Sequence, residues 1–136
     1  MSTSARPGAS ALLAAGLLGL TGVGLGAMGA HALKATLIER GMMNAWDIGA
    51  KYHLLHAVAL LGVGAWARAA GAGAPGAALL TWVTRLWVAG VVLFSGSLYW
   101  LAVGGPRWLG PVTPLGGVAF MAGWLLVALV ALRRPA

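Results

Sequence analysis

The sequence predicts an all-α integral membrane protein: a four-helix bundle forming a single transmembrane domain over residues 1–136. Three observations carry that prediction. Of the 136 residues, 60% are hydrophobic and only 8% are charged, against about 25% charged in an ordinary soluble domain. Mean hydropathy is +0.89. Charge-free apolar runs recur at near bilayer-crossing length, with spans expected at about 9–30, 48–68, 81–103 and 111–132.

The first span follows a short polar start carrying Arg6. Residues 9–30 rise about 33 Å at 1.5 Å each, enough for one crossing. Arg6, the Leu-rich centre and Ala30-His31-Ala32 imitate a signal peptide. The Gly-rich second half, however, runs beyond an ordinary apolar signal core of about 7–15 residues, so the segment reads as a retained span. Gly19, Gly22, Gly26 and Gly29 are spaced to share one helix face, and small residues let membrane helices approach closely. They are expected to pack the first helix against another helix of the same chain.

Residues 32–40 suggest a short surface helix ended by Gly41. Asn44 can cap the second span, with Asp47 in its first turn and Lys51 one turn on. This is the weakest span, with Lys51 and Arg68 expected to snorkel at its ends. Residues 69–78 are a Gly/Ala-rich turn containing Pro75. The third span carries Trp82, Arg85 and Trp87 at its start and is uncharged over 86–106. A turn with Arg107 and Trp108 leads to the fourth span. Pro111 and Pro114 fall in its first turn, and Arg133 and Arg134 stop it.

Seven Trp suit interfacial belts. Trp66, Trp82 and Trp87 are expected at one interface and Trp46, Trp100 and Trp108 at the other, with Trp124 deeper against small residues. The net charge of +7 comes from nine basic residues scattered between apolar runs. They read as topology and headgroup anchors rather than a nucleic-acid surface. Four spans put both termini on one side with Arg6, Arg68, Arg85, Arg133 and Arg134, against Lys34, Arg40, Lys51 and Arg107 opposite. The excess points to cytoplasmic termini in a bacterial inner (plasma) membrane.

This topology gathers polar side chains toward one leaflet: His31, Lys34, Tyr52, His56, Ser95, Ser97, Tyr99 and Thr113, with His53 beside them. Hydrocarbon offers them no hydrogen bonds, so they must find partners in the protein. Helix depths place His56 level with Ser95 and Tyr99 across the second and third spans, with His31 and Thr113 completing a ring beneath Lys34.

At these residues the chain resembles a known family. The segments are Gly26-Ala27-Met28-Gly29-Ala30-His31-Ala32-Leu33-Lys34, Tyr52 with His56-Ala57-Val58-Ala59-Leu60-Leu61, Phe94-Ser95-Gly96-Ser97-Leu98-Tyr99, and Thr113-Pro114-Leu115-Gly116-Gly117, with Phe120, Gly123 and Trp124. Together they resemble the small membrane proteins grouped as domain of unknown function 423, which include bacterial YgdD-like and animal transmembrane-256-like proteins. The resemblance implies about four membrane helices and supplies no activity, cofactor or substrate. His53 departs from it, since the family implies a neutral polar residue such as Gln there.

Chemistry is sparsely provided. Three His could hold zinc or copper, but no Cys exists and no acidic residue lies inside the spans to complete a site. Neither a metal nor a cofactor is expected. Ser95 or Ser97 with His56 lacks an orienting carboxylate and a nucleophile elbow, so an enzyme is not expected. Both acidic residues, Glu39 and Asp47, lie at the first connection, which disfavours a carboxylate-driven transporter. The leading reading is a structural, assembly or accessory subunit whose polar cluster pins the bundle. Its partners would be membrane lipids and a homo-oligomer or larger membrane complex. The alternatives are a binding module for a lipid, quinone or other amphiphile, and a His-gated conduit or transporter.

Overall fold

A computed structural model describes residues 6–133; Arg134, read above as part of the final stop, lies outside them. The regular elements are all helical: α1 (Ala9–Ala30), α2 (Lys34–Glu39), α3 (Met43–Ala70), α4 (Ala77–Gly90), α5 (Gly96–Ala102) and α6 (Val112–Ala131), with a 3-10 turn at Arg107–Leu109. A π-helical turn, Val91–Ser95, joins α4 to α5, so the two run as one rod, Ala77–Ala102. Four segments are long and apolar enough to cross a membrane: Ala9–Ala30, Met43–Ala70, the rod, and Arg107–Ala131.

Sequence neighbours pair as hairpins. α1 lies along α3, the α4–α5 rod lies along α6, and α3 packs on the rod to close the bundle. Bare glycines set both seams. Gly22 faces His53 and Leu54, Gly29 faces Trp46, and Gly64 faces Leu12, so α1 and α3 run antiparallel. Gly19 and Gly26 have nothing within 4 Å of where a Cβ would stand. The four-glycine face expected on α1 is therefore corrected. Its packed row is Ala11, Ala15, Gly22 and Gly29, rotated away from Gly19 and Gly26. On the rod–α6 seam, Gly90 lies against Phe120, Gly123 against Trp87, and Gly116 against the backbone of Phe94.

α3 is longer at both ends than expected. Its N-cap is Met42, which makes no side-chain cap bond, and no acidic residue lies in its first turn. Asn44 and Asp47 thus do not start it. Burial does: Trp46 and Ala50 pack with Leu37, Tyr99 and Ala102 in a core cluster at that end of the bundle, and packing outweighs local signals in setting helix limits. Leu37 is fully buried, so α2 is anchored by its apolar side. Arg40 Nε–H donates to the Ala102 carbonyl at 3.0 Å, satisfying one of the open carbonyls ending the rod. Gly104 beneath that guanidinium has φ 106°, a turn that a side chain would resist.

The aromatic belts need revision at three indoles: Trp46 and Trp87, expected at the interfaces, are buried, and Trp124, expected to be buried against small residues, is exposed. Trp66, Trp82, Trp100 and Trp108 are exposed, and Arg85 lies 5.0 Å over the Trp82 ring. Trp87, however, is only 1% exposed, and its indole N–H donates to the Phe120 carbonyl at 3.3 Å. Trp87, rather than Trp124, is the indole seated on a glycine, Gly123.

These seams predict a contrast on one helix. Trp46 Nε1–H donates to the Leu25 carbonyl at 3.0 Å, so its ring cannot swing away from a new methyl without losing that bond. Gly29→Ala should lower stability by about 1–3 kcal/mol through overpacking. Gly26→Ala, opening into free space, should be neutral or slightly stabilising. Thermal unfolding in mild detergent checks both, and equal effects would contradict the seam.

Candidate functional site

Two histidine-centred networks occupy the bundle. The first is built on His56, at the middle of α3. Counting from Met43 puts it about 20 Å along the helix at 1.5 Å per residue. His56 Nδ1 lies 2.8 Å from the Tyr52 carbonyl. A carbonyl only accepts, so Nδ1 carries the proton. Trp124 Nε1–H donates to Nε2 at 3.2 Å, and an indole N–H only donates, so Nε2 is bare. The partners therefore assign the neutral Nδ1–H tautomer. The ring stacks on Phe120 with centroids 3.7 Å apart and 9° between planes, and Trp87 meets it edge-on at 5.5 Å.

The second network belongs to His53, one turn earlier. Thr21 Oγ1–H donates to the Leu17 carbonyl at 2.8 Å. Its oxygen therefore accepts from His53 Nε2–H, 3.3 Å away. That leaves Nδ1 to accept from the Tyr99 hydroxyl at 3.2 Å. Tyr99, His53 and Thr21 form one directional chain across the rod, α3 and α1. Tyr99 thus bonds to His53 and not to His56, which corrects the proposed pairing. Thr21 had no place in the sequence reading. Its only signal was a hydroxyl in the middle of the first span, where the other, Ser10, stands at the helix start.

The remaining expected members separate. Ser97 Oγ–H donates to the Phe94 carbonyl at 2.9 Å, so Thr113 Oγ1–H donates to Ser97 Oγ, at 2.6 Å. This pair ties the rod to α6. His31 and Lys34 are exposed at the end of α1 and the start of α2, and complete no ring with Thr113. Tyr52 contributes its carbonyl to His56 and its ring to Phe94, 4.9 Å between centroids. Ser95, fully buried, has no partner for its Oγ among the described residues. The π turn explains this: the Gly96 N–H reaches back to the Val91 carbonyl, and the widened turn takes Ser95 out of α-helical register with that oxygen. Among the described residues no three His, Cys, Asp or Glu side chains gather as metal ligands.

Each histidine borders a groove. One of about 460 Å³ between α3 and α6 is walled by Tyr52, His56, Phe94, Phe120 and Trp124. One of about 300 Å³ between α1 and the rod is walled by Leu25, Thr21, His53, Val92, Gly96 and Tyr99.

Residues 25–117 match the family described as protein of unknown function (DUF423). This chain belongs to the DUF423 family. UPF0382 membrane protein YwdK of Bacillus subtilis is 41% identical over 115 residues, covering 84% of this chain and 89% of its own. UPF0382 inner membrane protein YgdD of Escherichia coli is 38% identical over 132 residues, covering 90% and 88% respectively. A UPF0382 membrane protein of Staphylococcus epidermidis is 37% identical over 111 residues, covering 82% and 85%. No solved structure matches. Like these relatives, the DUF423 chain is a membrane protein, and its four apolar helices make it multi-pass. The family match holds His53, His56, Ser95, Ser97, Tyr99 and Thr113, whereas Thr21, Phe120 and Trp124 lie outside it.

The two serines of this DUF423 protein should respond oppositely. Ser97→Ala strands the Thr113 hydroxyl and should cost about 1 kcal/mol. Ser95→Ala removes a buried hydroxyl that has no partner among the described residues, and should leave stability unchanged or raised. Denaturant unfolding in bicelles reads both, and a larger loss at Ser95 would reveal a partner for its hydroxyl.

Proposed function

We propose that the protein is a structural or accessory subunit of the bacterial inner (plasma) membrane. It performs no catalysis, and its intramembrane polar networks pin four helices into a rigid unit that joins a homo-oligomer or larger membrane complex. The observation that carries this reading is the pairing at His56. Both ring nitrogens are used by protein partners, Tyr52 and Trp124, and the ring faces are held by aromatic neighbours. A general base would need that occupied Nε2 lone pair free. Ser97 sends its proton to a backbone carbonyl and is not activated by a histidine. The Tyr99–His53–Thr21 chain ends on the Leu17 carbonyl, which has no proton to pass on, and this speaks against a His-gated conduit.

For orientation the reading keeps both termini cytoplasmic. In the sequence, Arg6, Arg68, Arg85, Arg133 and Arg134 flank the span ends on the terminus side, against Lys34, Arg40, Lys51 and Arg107 at the opposite ends.

The test joins stability to transport. Interhelical hydrogen bonds in membranes average about 0.6 kcal/mol, and a His56→Leu/Trp124→Phe double-mutant cycle should return a coupling of that order. His56→Gln, which keeps a donor and an acceptor, should fall between wild type and His56→Leu. Vesicles loaded with a pH-sensitive dye should show no proton flux dependent on the protein. A flux that His56→Gln abolishes, with the unfolding curve unchanged, would replace the structural reading with the conduit.

A further inference from the structure

The two grooves differ in unused hydrogen-bonding capacity. At the α3–α6 groove, His56 has spent both nitrogens, but Tyr52 in the same wall keeps a hydroxyl with no partner among the described residues, which can both donate and accept. At the α1–rod groove the count is different. A hydroxyl has one donor and two acceptor lone pairs. Tyr99 donates its proton to His53 and accepts from nothing among the described residues. Thr21 donates to Leu17, accepts from His53, and keeps one lone pair. Two acceptor sites therefore border a space of about 300 Å³, while the three donors of the Tyr99–His53–Thr21 series are already committed.

We propose that this groove binds a neutral lipid through a free hydroxyl, which donates to Tyr99 Oη or Thr21 Oγ1. The donor requirement follows from the count: a ketone or ester has nothing to give these oxygens without breaking the existing chain. The neutral charge follows from the lining, which carries no Lys, Arg, Asp or Glu, so an ionic headgroup would have no counter-charge there. Leu25 and Val92 supply apolar wall, and Val92 is 62% exposed toward the bilayer. The floor is open at Gly96, where a Cβ would meet only the Val91 carbonyl, at 3.9 Å. α1 leans mainly on α3 and only lightly on α4, which leaves the groove a lateral entrance.

This inference stands apart from the pinning role, and its experiment leaves that role untouched. The full chain in phosphatidylcholine vesicles is photolabelled with a diazirine-bearing diacylglycerol. Label should concentrate on peptides containing Thr21, Leu25 and Val92. Unlabelled diacylglycerol should compete, and its O-methyl ether should compete about fivefold less well, equivalent to about 1 kcal/mol for one lost hydrogen bond. A long-chain prenol separates the sources: competition by it assigns the site to the hydroxyl alone, and its failure assigns it to the glycerol lipid. Gly96→Leu should cut labelling by filling the floor. Val92→Trp does so from the exposed mouth if the first variant fails to fold. Equal competition by the methyl ether, or equal labelling of the same peptides by a diazirine phosphatidylcholine, overturns the proposal.

Discussion

Inside hydrocarbon a polar side chain can bond only to protein, and at the centre of this bundle that constraint falls on His56. Its Nδ1–H closes on the Tyr52 carbonyl of its own helix, so the outward nitrogen must be an acceptor. Trp124 of α6 fills that role. The donor and acceptor types thus select both a tautomer and a partner helix. Stacking on Phe120 and the edge of Trp87 bring α6 and the rod onto the same ring. A single side chain contacts both members of the second hairpin from α3 of the first, and the registry between hairpins depends on it.

The close approach of the second hairpin has its own cost. Gly116 presses on the backbone of Phe94, inside the π turn. The rod meets α6 most intimately where its helix is locally widened. Ser97 repairs part of the disturbance by bonding to the Phe94 carbonyl, and Thr113 adds to the same oxygen network. Ser95 is left out. π turns inside membrane helices mark places where packing or function overrides the α-helical ladder. Here the overriding demand is visible in the glycine that faces it.

The two histidines divide the bundle's polar capacity unequally. At His56 both ring nitrogens are consumed in holding helices together. Around His53 the chain runs in one direction, from Tyr99 to a carbonyl of α1, and leaves acceptors facing an open groove. Residues of the same type, one helical turn apart, therefore serve a closed node and an open one.

Much of the architecture was legible from residues alone. Charge-free runs of bilayer length dictate four helices, and short connections make them antiparallel neighbours. The four-segment resemblance already pointed to the DUF423 family. Hydroxyls in the third span were bound to seek partners across the bundle, and Ser97 with Thr113 is one such pair. What only the tertiary structure decided is helix rotation and helix limits. His53 and His56 point about 60° apart around one helix at 100° per residue. In a soluble bundle, hydrophobic periodicity would say which of them faces Tyr99. Between lipid and an equally apolar interior that signal vanishes, so helix rotation is set by close packing at Gly22, Gly29, Gly116 and Gly123. The start of α3 escaped for a related reason. α3 begins where Trp46 and Ala50 become buried against Leu37 and Tyr99, a contact between distant segments that no local cap announces.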